Sequence, residues 1–221
     1  MENFLNIGQL YNPERTVARA YLEKFEYPWQ ALAGLKEYIT ELGATLDREE
    51  YSEIYPEVWV HKSAKIDKSA LIKPPCIIGE NTEVRHCAFI RGSVIAGKNC
   101  VIGNSTELKN SILFDGVQVP HFNYIGDSIL GFCAHLGAGA ITSNVKGDKS
   151  PVAVGGFNTG LKKLGAIVGD GVEVGCNSVL NPGTVIFKNT TVYPLSSVRG
   201  IIPADSIFKN GVIIEKRRNF G

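Results

Sequence analysis

The chain has 221 residues, 44% of them apolar and 20% charged, and a net charge of +1. That is enough for one large domain or one domain with a small appendage, and the near-zero balance excludes a broad nucleic-acid or anionic-membrane footprint. The basic run Lys216, Arg217, Arg218 is too short to change this and reads as a solvated terminus. The opening MENFLNIGQL has no basic n-region and no apolar run near the ~20 residues of a membrane helix, so neither a signal peptide nor a membrane span is expected. Five cysteines without a CxxC pairing, Cys76, Cys87, Cys100, Cys133 and Cys176, read as small buried residues in a reducing cytoplasm.

Residues 1–50 are expected to be helical. Asn12 can cap a helix that opens on Pro13 and Glu14 and continues through Val17, Ala20, Tyr21 and Phe25. A second helix is expected from about Pro28 through Trp29, Leu32, Leu35, Ile39 and Leu42, stopping at Gly43.

From Val58 the period is six. Val60, Ile66, Ile72, Ile78, Val84, Ile90, Ala96, Ile102 and Leu108 are all apolar, each preceded two positions earlier by a mostly small residue, and the pattern returns from Val168 to Val198. Six fits neither a helix nor a simple amphipathic strand; it fits a solenoid whose triangular coil uses six residues per side and eighteen per turn. The aliphatic residue points to the prism axis and each coil buries it only by stacking on its neighbours. Gly79, Gly97, Gly103, Gly169 and Gly175 follow aliphatic residues directly and are expected to supply a positive φ at the turn. The division is therefore 1–50 helical, 51–200 solenoid and 201–221 a C-terminal extension.

The phase slips in the middle. Leu113 and Val119 sit one residue early, and Tyr124, Leu130 and Leu136 one more. Residues 142–165 are a Gly-, Lys- and Ser-rich insertion, expected to cover a neighbouring subunit or a ligand because Val152, Val154, Phe157 and Leu164 need apolar cover. The same span holds the chemically useful side chains. Arg91 and Lys109 are one coil apart and should stack, a planar fork above a point charge, which suits a phosphate. His121 is the best general base, since imidazole titrates near neutrality. Any one of these alone reads as an exposed polar residue; the stacked pair beside a histidine points to a site. The four histidines, His61, His86, His121 and His135, form no carboxylate-supported pair, and no metal site is expected.

The stretch VPHFNYIGDSILGFCAHLGAGAITSNVKGD (119–148) resembles the acetyltransferase half of the bifunctional N-acetylglucosamine-1-phosphate uridylyltransferase/glucosamine-1-phosphate acetyltransferase family. TGLKKLGAIVGD (159–170) and YPWQAL (27–32) are similar to the archaeal-type sugar-1-phosphate nucleotidylyltransferase/acetyltransferase form. The resemblance implies a left-handed parallel β-helix of hexapeptide repeats that forms a homotrimer; handedness comes from it alone, since ordinary crossovers are right-handed. It implies acetyl-CoA-dependent N-acetylation of an amino-sugar 1-phosphate, with glucosamine-1-phosphate and galactosamine-1-phosphate both open. His121 matches the catalytic base. Arg91 and Lys109 match the phosphate-binding pair, and Tyr124 and Asn144 match substrate contacts. His135 stands where the family typically carries an asparagine near the sugar and the thioester, so the resemblance implies a substrate contact there: either His135 replaces that hydrogen bond or the substrate differs. Ala138, Gly139 and Cys176 match positions where coenzyme A lies along the coils, and the amides of residues 137–140 could serve the oxyanion. No Gly-rich nucleotide loop is present, so pyrophosphorylase activity is not expected from this chain alone. A non-catalytic sugar-phosphate-binding trimer partnering a separate nucleotidylyltransferase is the alternative.

Overall fold

The computed structural model describes residues 5–216; Arg217 and Arg218 lie outside the described residues. The N-terminal segment is more broken than two helices. Asn12 Oδ1 accepts the Glu14 amide at 3.2 Å, but caps only the 3-10 turn Pro13–Arg15, because Thr16 is extended. A short helix α1 (Ile7–Leu10) precedes it and α2 (Arg19–Leu22) follows, and Val17 and Ala20 face solvent instead of forming the expected stripe. The second predicted helix splits into the 3-10 turn Pro28–Leu32 and α3 (Leu35–Thr45). Pro28 and the Gln30 side chain, which accepts the Tyr27 amide at 2.9 Å, fix its entry.

Helix α3 runs through Gly43. The residue is buried, and a Cβ built there would lie 2.2 Å from the indole ring of Trp59, itself 3% exposed in the first parallel strand. Gly43 therefore marks where α3 lies against the prism. Gly43→Ala is expected to destabilise the fold by about 1–3 kcal/mol through overpacking, outweighing the ~1 kcal/mol of helix propensity that alanine gains. Urea denaturation checks it: a midpoint equal to or above wild type would mean that α3 is not held against Trp59. None of the described helices is long and apolar enough to cross a membrane.

Beyond the antiparallel pair of Tyr51–Tyr55 with Val58–His61, the chain winds into a parallel β-helix with three faces. The first face stacks Leu71–Ile72, Phe89–Ile90, the first half of Glu107–Leu113, the first half of Tyr124–Leu130, Ile141–Thr142, Val179–Leu180 and Ser197–Val198. The second runs from Val58–His61 through Cys76–Ile78, Val94–Ala96 and the second halves of those two long strands to Ile201–Ile202. The third runs from Lys65–Ile66 to Ser206–Lys209. The coils thus continue past residue 200, and Val212–Glu215 pairs antiparallel with the last of them.

The slip has a structural cause. Ile90 pairs with Leu108, eighteen residues on, but Leu108 pairs with Ile125 and Ile125 with Thr142, each seventeen. Both deletions fall at one corner, at Asn110 (φ 48°) and Asp127 (φ 49°), where the strand carries on around the bend. Ile125, fully buried, is the axial residue there; Tyr124 points outward and was misassigned by the simple period. Thr142 pairs with Leu180, thirty-eight residues on, so one coil of eighteen carries an insertion of twenty.

The five glycines that follow the axial aliphatic residues do not provide the positive φ expected of them, which falls to corner residues such as Asn99, Gly116 and Gly171. Gly79, Gly97, Gly103, Gly169 and Gly175 are absent from the left-handed region, which is occupied instead by Asn81, Cys87, Ser93, Asn99, Ser105 and their equivalents. Glycine is required because coils approach closely: a Cβ on Gly103 would sit 1.6 Å from the Pro120 carbonyl oxygen and one on Gly79 2.5 Å from that of Gly97. The small corner residues cover the carbonyls of the next coil. Thr82 Oγ1 donates to Gly97 O (2.7 Å) and Thr106 Oγ1 to Val119 O (2.9 Å), both without exposed surface.

The insertion folds on its own chain. Val152, Val154 and Leu164 are buried, Ala153–Val154 pairs with Phe157–Asn158, and Phe157 packs on Tyr27, which stacks on Trp29. For Val152, Val154 and Leu164 the apolar cover comes from within the chain, while Phe157 stays 47% exposed.

Candidate functional site

Register converts the sequence spacing into columns. Leu108 pairs with Ile90 and Ile125 with Leu108, so Arg91, Lys109 and Gly126 follow one another on successive coils at the exit from the first face. At the other edge of that face, His121 pairs with Asn104. The Gly139 amide donates to His121 O (3.0 Å) and the Asn177 amide to Ala138 O (2.8 Å), which places His121, Ala138 and Cys176 in one corner column. Gly126 is five residues beyond His121, so the two columns lie no more than ~17 Å apart across the face.

The Arg91–Lys109 corner is a closed network. Asp127, 4% exposed, is its centre: Lys109 Nζ lies 3.2 and 3.3 Å from its two oxygens, Asn110 Nδ2 donates to Oδ1 at 2.9 Å, and Asn144 Nδ2 donates to Oδ2. Asn144 Nδ2 also donates to the Tyr124 hydroxyl at 3.2 Å. The Tyr124 phenol therefore accepts within the protein and keeps its own proton for a ligand; burial raises its pKa and keeps it protonated. Arg91 Nη1 bonds Glu107 Oε1 at 2.8 Å, and this more exposed pair raises the guanidinium pKa further. Two cations face two carboxylates, so the corner is neutral on its own. An arriving phosphate can draw Arg91 from Glu107 at little cost, because exposed pairs contribute ~0–1 kcal/mol. Lys109 stays anchored by the buried carboxylate while retaining ammonium donors.

The insertion leaves and returns at this network. The Leu164 amide donates to Asn144 O (3.0 Å) and the Gly165 amide to Asp127 O (2.8 Å). Asp127 and Asn110 escaped the sequence reading; their signal was the slip itself, since each occupies the position where a coil loses a residue.

His135 is not in this cluster. It pairs with Gln118 and Glu173 on the third face, and its Nδ1 lies 2.8 Å from Glu173 Oε2. The two line a groove of about 420 Å³ with Cys176, Tyr193 and Pro194. The expected oxyanion donors are also largely engaged: the Gly137, Gly139 and Ala140 amides donate to Val174 O, His121 O and Gly137 O. His121 itself is exposed.

The sequence profile of the GMPPB C-terminal domain matches residues 88–199, half of the chain and the whole span from the coil of Arg91 to the last coil of the regular repeat. The chain belongs to this family. Its relatives extend the match over the full chain. A bifunctional protein GlmU of Methanococcus maripaludis is 30% identical over 226 aligned residues, covering 99% of this chain and 54% of the relative. A bifunctional sugar-1-phosphate nucleotidylyltransferase/acetyltransferase of Sulfurisphaera tokodaii is 31% identical over 105 residues, 46% of this chain and 26% of the relative. The GMPPB C-terminal-type chain thus spans about half the length of the curated GlmU relatives that it matches end to end. Among solved structures, the N-acyltransferase AntD of Bacillus cereus aligns over 73% of this chain and 82% of its own at 17% identity, with a TM-score of 0.39. That superposition is too loose to bear on the site.

Proposed function

We propose that this chain is an acetyl-CoA-dependent N-acetyltransferase acting on an amino-sugar 1-phosphate. The observation that carries the reading is one face of the β-helix bounded by two columns: an exposed imidazole above small residues at one edge, and a guanidinium above an ammonium at the other. The names of the GlmU-type relatives support it, as does the span of the family match.

In this reading the phosphate binds between Arg91 and Lys109, and Tyr124 and Asn144 hold the sugar along the face. The pantetheine arm runs along the corner past Cys176 and Ala138, where small side chains leave room, toward His121. The amine attacks the acetyl carbonyl as the imidazole of His121 takes its proton, and the thiolate of coenzyme A leaves. The Ala138 amide, unlike its neighbours, has no bond to another backbone group among the described residues and is the oxyanion donor this chain offers. His135 and Glu173 belong with the coenzyme groove. Exposed apolar residues on the first face, Leu71 and Ile141, support a homotrimer in which other copies cover them. Five free thiols support a reducing, cytoplasmic location.

The test is thiol release from acetyl-CoA in the presence of glucosamine-1-phosphate or galactosamine-1-phosphate. Turnover with at least one is expected. Binding of a sugar phosphate without acetyl-CoA binding or turnover would instead identify a non-catalytic subunit partnering a nucleotidylyltransferase.

A further inference from the structure

Two coils before His121, at the same kind of corner, lies a second set of reactive side chains with no part in the proposed transfer. The Ser105 amide donates to His86 O (3.1 Å), which places His86 one coil before Asn104 and two before His121. Cys87 follows it at the left-handed corner position (φ 55°) and is exposed. Around this pair, Ser69 Oγ lies 2.6 Å from Asp67 Oδ1, 2.8 Å from His86 Nδ1 and 2.9 Å from the Cys87 amide nitrogen. His86 Nε2 lies 3.2 Å from Cys87 Sγ.

Hydrogen-bond valence fixes the protons. The single hydroxyl proton of Ser69 goes to the carboxylate of Asp67, which can only accept when ionised, and hydrogen bonds from Ser69 with the proximity of His86 hold the Asp67 pKa below the usual carboxylate range. The Cys87 amide donates to Ser69 Oγ. The remaining lone pair of Ser69 Oγ must then accept from His86, so the imidazole carries its proton on Nδ1. Nε2 is left as a bare acceptor facing the thiol. A nucleophile within reach of a base, with that base oriented by a third group, is the arrangement that activates a thiol. Asp67 Oδ1, 4.0 Å from His86 Nδ1, stabilises the imidazolium that results.

We propose that Cys87 is an imidazole-activated thiol and a modification site for low-molecular-weight disulfides. Disulfide exchange needs a thiolate with open approach along the S–S axis and nothing more. Acyl transfer needs oxyanion donors, and the Cys87 and Ala88 amides are engaged with Ser69 Oγ and Arg85 O. In the exchange, Cys87 gives its proton to His86 Nε2 and its sulfur attacks one sulfur of the disulfide. The reagent's S–S bond breaks, and the departing thiolate takes the proton from the imidazolium. The products are a mixed disulfide on Cys87 and one free small thiol.

The probe is 5,5′-dithiobis(2-nitrobenzoate) with the native protein at neutral pH, the modified cysteine being located by peptide mass. Cys133 and Cys176 are exposed thiols in the same chain and serve as internal references. Cys87 is expected to react about tenfold faster than either. Cys87→Ser should remove the fast phase, and His86→Gln should bring Cys87 to the rate of the references. Asp67→Asn, which disturbs the imidazole at one remove, should slow Cys87 by a smaller factor and covers the case of a glutamine variant that fails to fold. A fast phase at another cysteine, or a Cys87 rate indifferent to both the His86 and Asp67 substitutions, overturns the proposal.

Discussion

Replacing His121 with alanine is expected to lower kcat for acetyl transfer by about 10²–10⁴-fold, the range of a lost general base. The KM values for both substrates should stay near wild type, because the imidazole acts on a proton that moves only in the transition state. Loss of structure is not a competing explanation. His121 is exposed, no side-chain bond of its imidazole appears among the described residues, and only its backbone engages the coils, through Asn123 Oδ1 and the Gly139 amide. Surface substitutions of that kind usually change stability by less than ~0.5 kcal/mol. His135→Ala is the informative comparison, since His135 is the nearest other imidazole in sequence but sits on the third face against Glu173. Its loss should raise the KM for acetyl-CoA and leave kcat within about tenfold. If the two variants exchange these phenotypes, the base is His135 and the corner column is misread; if His121→Ala keeps its full rate, the base lies elsewhere.

What the sequence revealed and what it hid follow from one physical difference. The axial positions were legible because the prism interior accepts only apolar side chains at a fixed interval, so Val60 through Leu108 state the fold outright. The stacking of Arg91 on Lys109 was legible for the same reason, as an eighteen-residue step. Contacts that cross a corner were not. Asp127 reaches Asn110, Lys109 and Asn144 only because a coil there has lost one residue, and no period contains that information. The simple count placed Tyr124 on the axis, whereas register gives that place to Ile125 and turns the tyrosine outward into the site. The glycines were misread in kind. Gly79 and Gly103 leave room for a neighbouring carbonyl, a requirement set by the next coil and not by local dihedrals. In the N-terminal segment, α3 passes through Gly43 because Trp59, sixteen residues later, lies where a side chain would be.

Lys109→Met and Arg91→Met are expected to look alike in kinetics and different in stability. Each removes a charge-assisted contact to phosphate worth about 1.5–3 kcal/mol, so each should raise the KM for the sugar phosphate by roughly 10–100-fold. Arg91 and Glu107 have side chains 43% and 33% exposed, and their separation should cost no more than about 1 kcal/mol of stability. Lys109 is 26% exposed, but its partner Asp127 is only 5% exposed and would be left as a buried carboxylate held by two amides. That should cost about 2 kcal/mol, below the ~3–5 kcal/mol of a fully buried pair because the amides remain. Adding Asp127→Asn to Lys109→Met removes the stranded charge and keeps the side-chain shape, so the double variant should regain part of the loss, with a coupling of about 1 kcal/mol in a denaturation cycle. The consequence reaches the insertion, since Asn144 and Asp127 also accept the Leu164 and Gly165 amides where that segment rejoins the coil. Lys109→Met should therefore open residues 145–163 to limited proteolysis before the coils unfold, and Arg91→Met should not. Equal stability of the two single variants would show that Asp127 does not depend on Lys109 and that the network serves only to position the ammonium for its ligand.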